Sequence, residues 1–279
     1  FTAGFDIGIL KYKPDGSGLL FATYLGGSGN EFPHSIVVND QNELLVFGVT
    51  SSANFPVGDD AYSKLFKGGP SVMVLDGELP CPTGTDMYIA RLSFDGTQLL
   101  AGTFIGGTGT DGANLANTLD YNYGDVSRGA INVDHQNNIV IVSNTASNDL
   151  PVTSNAIQST YGGGGQDGLI MKFDQGLSQL LWSSYLGGSG DDGVYGLAFS
   201  PQNDIVITGG TTSTNFPVTT GSVSGTYGGG PADAFVTVIN ANTAKNNVFF
   251  ITFNFIELLI VLFVQNFQTK LKLLFQKDF

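Results

Sequence analysis

The stretch Tyr185-Leu186-Gly187-Gly188-Ser189-Gly190-Asp191-Asp192 decides the fold because it recurs along the chain. The other copies are Tyr24-Leu25-Gly26-Gly27-Ser28-Gly29-Asn30-Glu31 and Phe104-Ile105-Gly106-Gly107-Thr108-Gly109-Thr110-Asp111. Their starting positions are evenly spaced along the sequence. Internal similarity at a fixed spacing, here about 80 residues, is the signature of a repeat architecture, so the chain is predicted to be built from repeated units.

Two further motifs keep step with the first. One is Thr-Ser-x-Asn-Phe-Pro-Val or a close variant, and its prolines are Pro56, Pro151 and Pro217. The other opens each unit with an aspartate and an apolar run, at Asp6, Asp86, Asp167 and Asp233. The last two of these aspartates are the closest together, so their spacing of about 66 residues is taken as the bare unit. The longer units then carry insertions at about 64–83 and about 113–128.

The apolar runs within a unit are short, rich in Val, Ile, Phe and Tyr, and separated by turn-forming residues, which is typical of β-strands. The second unit illustrates this with predicted strands at about 86–94, 98–105, 129–134 and 138–143. Four-stranded antiparallel units with glycine corners predict an all-β protein made of β-propeller blades. A β-solenoid fits less well, because its coils are much shorter than this unit.

The blades are predicted within a repeat region covering residues 1–246. Their expected bounds are about 1–57, 84–152 and 165–218, followed by a partial blade at 231–243. Three blades and one strand make an incomplete ring, whose open ends are expected to expose Ile7, Ile9, Val236 and Val238. Aromatic residues recur at equivalent positions, which predicts that they pack between blades; they are Tyr24, Phe104 and Tyr185.

Residues 247–279 form an atypical tail. They contain neither Gly nor Ala but hold 8 of the 21 Phe, whereas all 39 Gly precede them. A frameshifted or mispredicted end is the favoured interpretation of this break. A membrane anchor at 248–264 is the alternative, although this apolar segment is short for a span and Glu257 lies inside it. A buried helix or strand of a continuing protein also remains open.

At its three motifs the chain resembles the SBBP family, a bacterial β-propeller repeat. The units of that family have Asp-Ala-Phe-Val at the start, as at residues 233–236, and the motifs found here at 185–192 and 212–218. The resemblance covers residues 1 to about 243. It implies a secreted or cell-surface bacterial protein, often associated with gliding motility and exported by the type IX route. It implies no catalytic residues.

Composition limits the partners and the cellular context. A net charge of −13 argues against nucleic acid and anionic membrane surfaces, because like charges would repel. A surface polysaccharide or another protein remains as the partner class. Cys81 is the single cysteine, so the chain can form no internal disulfide. The chain starts at Phe1 without Met or a signal peptide, which suggests a fragment or a processed product.

Several short motifs suggest chemistry. Residues 107–112 and 188–193 match G-x-G-x-x-G, but their flanks read as strands, so no dinucleotide cofactor is expected. Asp191 and Asp192 are the candidate ligands for a single Ca²⁺, against a solvated, turn-forming acidic pair. His34 and His135 lie in no metal-binding pattern. No metal or catalytic site is therefore assigned.

The leading functional hypothesis is a non-catalytic structural or binding module, because the repeated residues suit a scaffold. The alternative is a propeller-fold enzyme, such as a glycosidase or lyase, that uses loop carboxylates. Such an enzyme would carry polar residues in one unit without counterparts in the others.

Overall fold

The computed structural model describes residues 4–74, 79–120, 128–220, 222 and 224–240, and the backbone of 246–247. Within these residues the structure is all-β, as predicted, and its one helical element is the 3₁₀ turn Asn117–Leu119. No helix in the described part of the chain is long and apolar enough to cross a membrane. The predicted segment at 248–264 lies outside the described residues.

Several small antiparallel sheets contain the strands. Sheet 1 pairs β1 (Ile7–Tyr12) with β2 (Leu19–Leu25). Sheet 2 begins with β3 (Glu31–Val38) and β4 (Leu44–Thr50). A separate hairpin of β5 (Val72–Val74) and β6 (Leu79–Cys81) lies in the predicted insertion at about 64–83. Sheet 2 is then completed by β7 (Asp86–Leu92) and β8 (Leu99–Ile105).

Sheets 3 and 4 repeat the arrangement of sheet 2, with their strands side by side in chain order. The strands of sheet 3 are β9 (Ala130–Val133), β10 (Ile139–Thr145), β11 (Asp167–Phe173) and β12 (Leu180–Leu186). Those of sheet 4 are β13 (Asp192–Phe199), β14 (Ile205–Thr211), β15 (Asp233–Ile239) and β16 (Asn246–Asn247). Each is therefore a four-stranded antiparallel meander.

The sheets are out of phase with the sequence units. Thr50 pairs with Asp86, so β4 of one unit lies beside β7, the first strand of the next. The predicted blade at 84–152 is thus divided between sheets 2 and 3, and the same offset divides 165–218. The physical reason is the glycine motif, which leads the chain out of one sheet and into the next. The predicted strand positions hold, but their grouping differs.

Apolar side chains from both faces of the strands fill the space between successive sheets. Ile7 and Ile9 of sheet 1 belong to one buried cluster with Val46 and Ala90 of sheet 2 and are 5% and 6% exposed. Their predicted exposure at an open end is therefore wrong, because this face of sheet 1 is covered by sheet 2. The other clusters are Leu45, Phe47, Met87, Ile141 and Met171 between sheets 2 and 3, and Val140, Ile170, Ile207 and Phe235 between sheets 3 and 4.

Burial on both faces explains the continuous apolar runs that the sequence shows, because neither face of such a strand needs polar side chains. Val236 and Val238 of β15 are half-buried, so their predicted exposure is also only partial. The three motifs meet where one sheet passes into the next.

Candidate functional site: the junctions between sheets

A buried carboxylate organises the junction between sheets 2 and 3. The Asp111 side chain accepts hydrogen bonds from the Gly107 N–H at 2.7 Å, from Thr145 Oγ1 at 2.5 Å and from Ser147 Oγ at 2.8 Å. Ser147 Oγ also accepts the Gly109 N–H at 2.8 Å. One carboxylate and one hydroxyl therefore tie the glycine motif to the end of β10.

The same network recurs at the other two junctions. Glu31 replaces Asp111 between sheets 1 and 2, and Asp192 replaces it between sheets 3 and 4. Glu31 accepts hydrogen bonds from the Gly27 N–H at 2.9 Å, from Thr50 Oγ1 at 2.6 Å and from Ser52 Oγ. Asp192 accepts them from the Gly188 N–H at 2.6 Å and from Ser213 Oγ at 2.7 Å. The repeat therefore preserves a three-dimensional contact set within this chain as well as a sequence.

A second tie joins the two motifs. Asn54 Oδ1 accepts the Ser28 N–H at 2.9 Å, and Asn215 Oδ1 accepts the Ser189 N–H at 2.8 Å. Asp149 takes the asparagine position in the middle junction and accepts the Thr108 N–H at 2.8 Å. This contact explains why an Asn or Asp lies two residues after the junction serine, which is Ser52, Ser147 or Ser213.

The aspartates that open the units hold the loops that precede them. Asp86 accepts the Lys67 N–H at 2.6 Å and the Gly68 N–H at 2.9 Å. Asp167 accepts the Gly162 N–H at 2.5 Å, and Asp233 accepts the Gly228 N–H. These contacts form before each first strand of a unit and fix the path of the chain into it.

The paired glycines are required by close approach. A Cβ on the first glycine would lie 2.1 to 2.4 Å from an opening-aspartate oxygen, a distance that real Cβ atoms do not show. A Cβ on the second would lie 2.4 to 2.6 Å from the junction-serine Cβ. The first glycines are Gly26, Gly106 and Gly187; the second are Gly27, Gly107 and Gly188. The structure thus gives every predicted repeat glycine a steric role.

The repeat prolines lie in the loops that follow β4, β10 and β14, and all three are half-buried. The Pro151 carbonyl accepts Ser183 Oγ at 2.7 Å, which joins its loop to β12. The aromatic neighbours of the other two also pack, since Phe55 lies 4.3 Å from Tyr88 and Phe216 lies 4.5 Å from Phe235, measured between ring centroids. The Phe-Pro pairs therefore close the loop over the sheet.

The junctions place carboxylates close together in a dry environment. Burial, with a smaller contribution from the nearby Asp86 charge, raises the pKa of Asp111 to about 7. Burial likewise raises the pKa of Asp86 to about 6. At the next junction burial raises the pKa values of Asp167 and Asp192 to about 7 and about 6. Such groups hold protons near neutral pH, as general acids do, but these four side chains have no exposed surface.

The predicted Ca²⁺ ligands serve different contacts. Asp191 Oδ1 accepts the Gly165 N–H at 2.6 Å, whereas Asp192 belongs to the buried network. Asp192 Oδ1 has no hydrogen-bond partner among the described atoms. The part of the chain that the structure describes contains no group of three or more His, Cys, Asp or Glu side chains able to hold a metal. A Ca²⁺ site on this pair stays a prediction.

The two histidines lie apart. The His34 ring on β3 meets Phe47 edge-on with centroids 5.4 Å apart, and burial lowers the pKa of the imidazole to about 3. The His135 backbone N–H donates to Asn203 Oδ1 at 3.2 Å in a turn between β9 and β10. Residues 188–193, which match the dinucleotide pattern, run directly into β13 rather than into a helix. A pyrophosphate would therefore meet no helix N-terminus there.

Sequence reasoning missed Glu31 and Asp111 as functional counterparts of Asp192. The available signal was their shared position at the end of the glycine motif, where all three copies have a carboxylate. It also missed Thr50 and Thr145, whose hydroxyls bind these carboxylates from the neighbouring strand.

Grooves in the described part of the chain include an apolar one and one that borders the Asp192 network through Ser213. The first has a volume of about 260 Å³ between sheets 1 and 2 and is mainly apolar, with Ile9, Leu10, Phe21, Ile36, Val38 and Phe94 among its lining residues. The second, of about 160 Å³, lies beside the 211–218 loop and Asp233.

No protein-family model matches this sequence, and no curated protein matches it either.

Proposed function

We propose that the repeat region is a β-propeller segment serving as a non-catalytic structural or binding module of a secreted or cell-surface bacterial protein. The supporting observation is the junction network, in which a carboxylate accepts a glycine N–H and a serine hydroxyl at all three junctions. A scaffold requires such repetition because every junction between sheets has to solve the same packing problem.

The arrangement of the sheets supports the propeller. The first strands of sheets 2, 3 and 4 lie next to one another, with β9 contacting β3 on one side and β13 on the other. Each sheet then continues as a meander away from these strands. First strands that gather together while last strands diverge are what radial packing of blades requires.

The burial and the hydrogen bonds of the junction carboxylates support a non-catalytic role. Asp111 and Asp192 have the raised pKa values that an acid catalyst needs, but neither is exposed, and both accept bonds from backbone and hydroxyl donors. A catalytic acid has to reach its substrate within hydrogen-bonding distance. These two carboxylates therefore bind donors of the neighbouring segments of the chain rather than a ligand.

The partner class follows from charge and from the sequence resemblance. A chain with a net charge of −13 repels nucleic acid, whereas neutral polysaccharide or a protein surface carries no such penalty. The resemblance to a bacterial repeat family supports export to the cell surface. Loops at the blade ends would present the binding residues.

Two experiments test this function. Labelling intact producing cells with a membrane-impermeant amine reagent should modify this protein at Lys13, which is exposed, and labelling only after lysis would contradict surface exposure. A panel of polysaccharides should show binding without release of reducing ends or unsaturated sugars. Turnover of any of them, lost on neutralising a single carboxylate in a folded variant, would favour the glycosidase or lyase instead.

A further inference from the structure

Sheet 1 differs from the other sheets at the edge formed by β1. The strands equivalent to β1 are β7, β11 and β15, and each has a neighbour on both sides. Each also meets the preceding strand in the same register, with Thr50 opposite Asp86, Thr145 opposite Asp167 and Thr211 opposite Asp233. Among the described strands, β1 pairs only with β2.

The opening aspartate of sheet 1 shows the same incompleteness. Asp86, Asp167 and Asp233 each accept a backbone N–H from the loop that precedes them. Asp6 is exposed and accepts no hydrogen bond from the described residues. Asp6 nevertheless holds the equivalent position, because it lies against Gly26 as Asp86 lies against Gly106.

The repeated aromatic residue of β2, Tyr24, is uncovered. Phe104 and Tyr185 are each 1% exposed, but the equivalent Tyr24 is 83% exposed. Phe66 covers Phe104 with centroids 6.0 Å apart, and Tyr161 covers Tyr185 at the same distance. Both covering rings come from the loop that leads into an opening aspartate.

The 260 Å³ groove lies beside this free edge. Ile36 and Val38 of β3 line it and are each 57% exposed. A strand added to β1 would bring alternate side chains over this apolar wall. Three separate features therefore specify one occupant: a strand that ends in Thr, a loop with a free N–H for Asp6, and an aromatic ring for Tyr24.

We propose that the β1 edge binds the last two strands and following loop of another repeat unit, of the type that residues 192–232 represent. A second copy of this chain cannot supply them without losing its own structure, because β4, β10 and β14 already pair on both edges. The proposal rests on the repeat geometry and does not require the propeller ring or the surface location to be correct.

The test is an extended protein in which a copy of residues 192–232 directly precedes Asp6, as the original precedes Asp233. In the copy, Val206 should lie opposite Lys11, because the original lies opposite Val238. Cysteines at those two positions should form a disulfide. Moving one of them to Leu10 should abolish it, because neighbouring strand residues face opposite sides.

Protection of Tyr24 gives a second readout. Its nitration by tetranitromethane, followed by peptide mass spectrometry, should slow by at least about tenfold in the extended protein, as burial requires. A matched extension with Tyr227→Ala in the copy should restore much of the reactivity, because Tyr227 occupies the position of Tyr161. Equal crosslinking in both cysteine registers, no crosslinking, or unchanged nitration of Tyr24 would each overturn the proposal.

Discussion

Protein stability should decrease as the pH rises from about 5 to about 8, and Asp167 is the clearest source. Its side chain is fully buried, and its Oδ1 has no partner among the described atoms. Burial, with a further contribution from the Asp192 charge, raises its pKa from 3.8 to about 7. The folded state therefore keeps a proton that the unfolded chain releases, so the stabilisation is complete below about pH 4 and is lost as the pH rises through about 7.

The size of the effect follows from the two pKa values. Between about pH 5 and about pH 8, proton linkage at this one group amounts to roughly 2 to 3 kcal/mol of unfolding free energy. Urea denaturation at both pH values measures it. Asp167→Asn keeps an acceptor for the Gly162 N–H but has no proton to release, so the variant should lose this part of the pH dependence.

Asp59→Asn is the matched control, since it makes the same chemical change on an exposed loop carboxylate. It should leave the pH dependence of the parent protein unchanged. Asp192 titrates together with Asp167, so the Asp167→Asn variant should retain a smaller slope of the same sign. A parent protein that is more stable at about pH 8 than at about pH 5, or an Asp167→Asn variant that keeps the full pH dependence, would refute this assignment to Asp167.

Three further predictions concern unfolding free energies from denaturant titration. Gly188→Ala should cost at least about 2 kcal/mol because its Cβ would overlap the junction serine. Gly18→Ala should cost under about 1 kcal/mol, because its Cβ would meet only Lys13, at an ordinary contact distance of 3.9 Å. Ser213→Ala should cost about 1 to 3 kcal/mol by removing the bond to Asp192, and a neutral result would mean that the network does not stabilise the junction. Lys172→Met should cost about 3 kcal/mol because it leaves the buried Asp134 carboxylate without the ammonium group that lies 2.6 Å from it. A smaller loss of stability at about pH 8 than at about pH 4 would contradict this.

Local sequence predicted the strands closely. The second unit was expected to have strands at 98–105 and 138–143, and the structure has Leu99–Ile105 and Ile139–Thr145. Strand residues are recognisable because β-branched and aromatic side chains alternate with turn residues over short distances. The hairpin of Val72–Val74 and Leu79–Cys81 was not predicted, since it lies in an insertion that occurs in only one unit.

The candidate site was predicted only in part. The glycine and aspartate positions stood out because they repeat, but partners such as Thr50 of Glu31 and Ser147 of Asp111 lie 19 and 36 residues away in the chain. Asp191 and Asp192 looked equivalent in sequence, yet only Asp192 is fully buried. Burial depends on how the sheets meet, and no local pattern contains that information.

The sequence by itself determined the all-β class, the repeat, its approximate unit and the residues that each unit needs, because these depend on local propensity and on internal similarity. Tertiary structure alone decided where one sheet ends and the next begins. A periodic sequence can be divided at any point of its period, and only the long-range pairing of Thr50 with Asp86 selects the division. The same pairing leaves β1 with a free edge and turns the repeated carboxylates into buried ties between sheets.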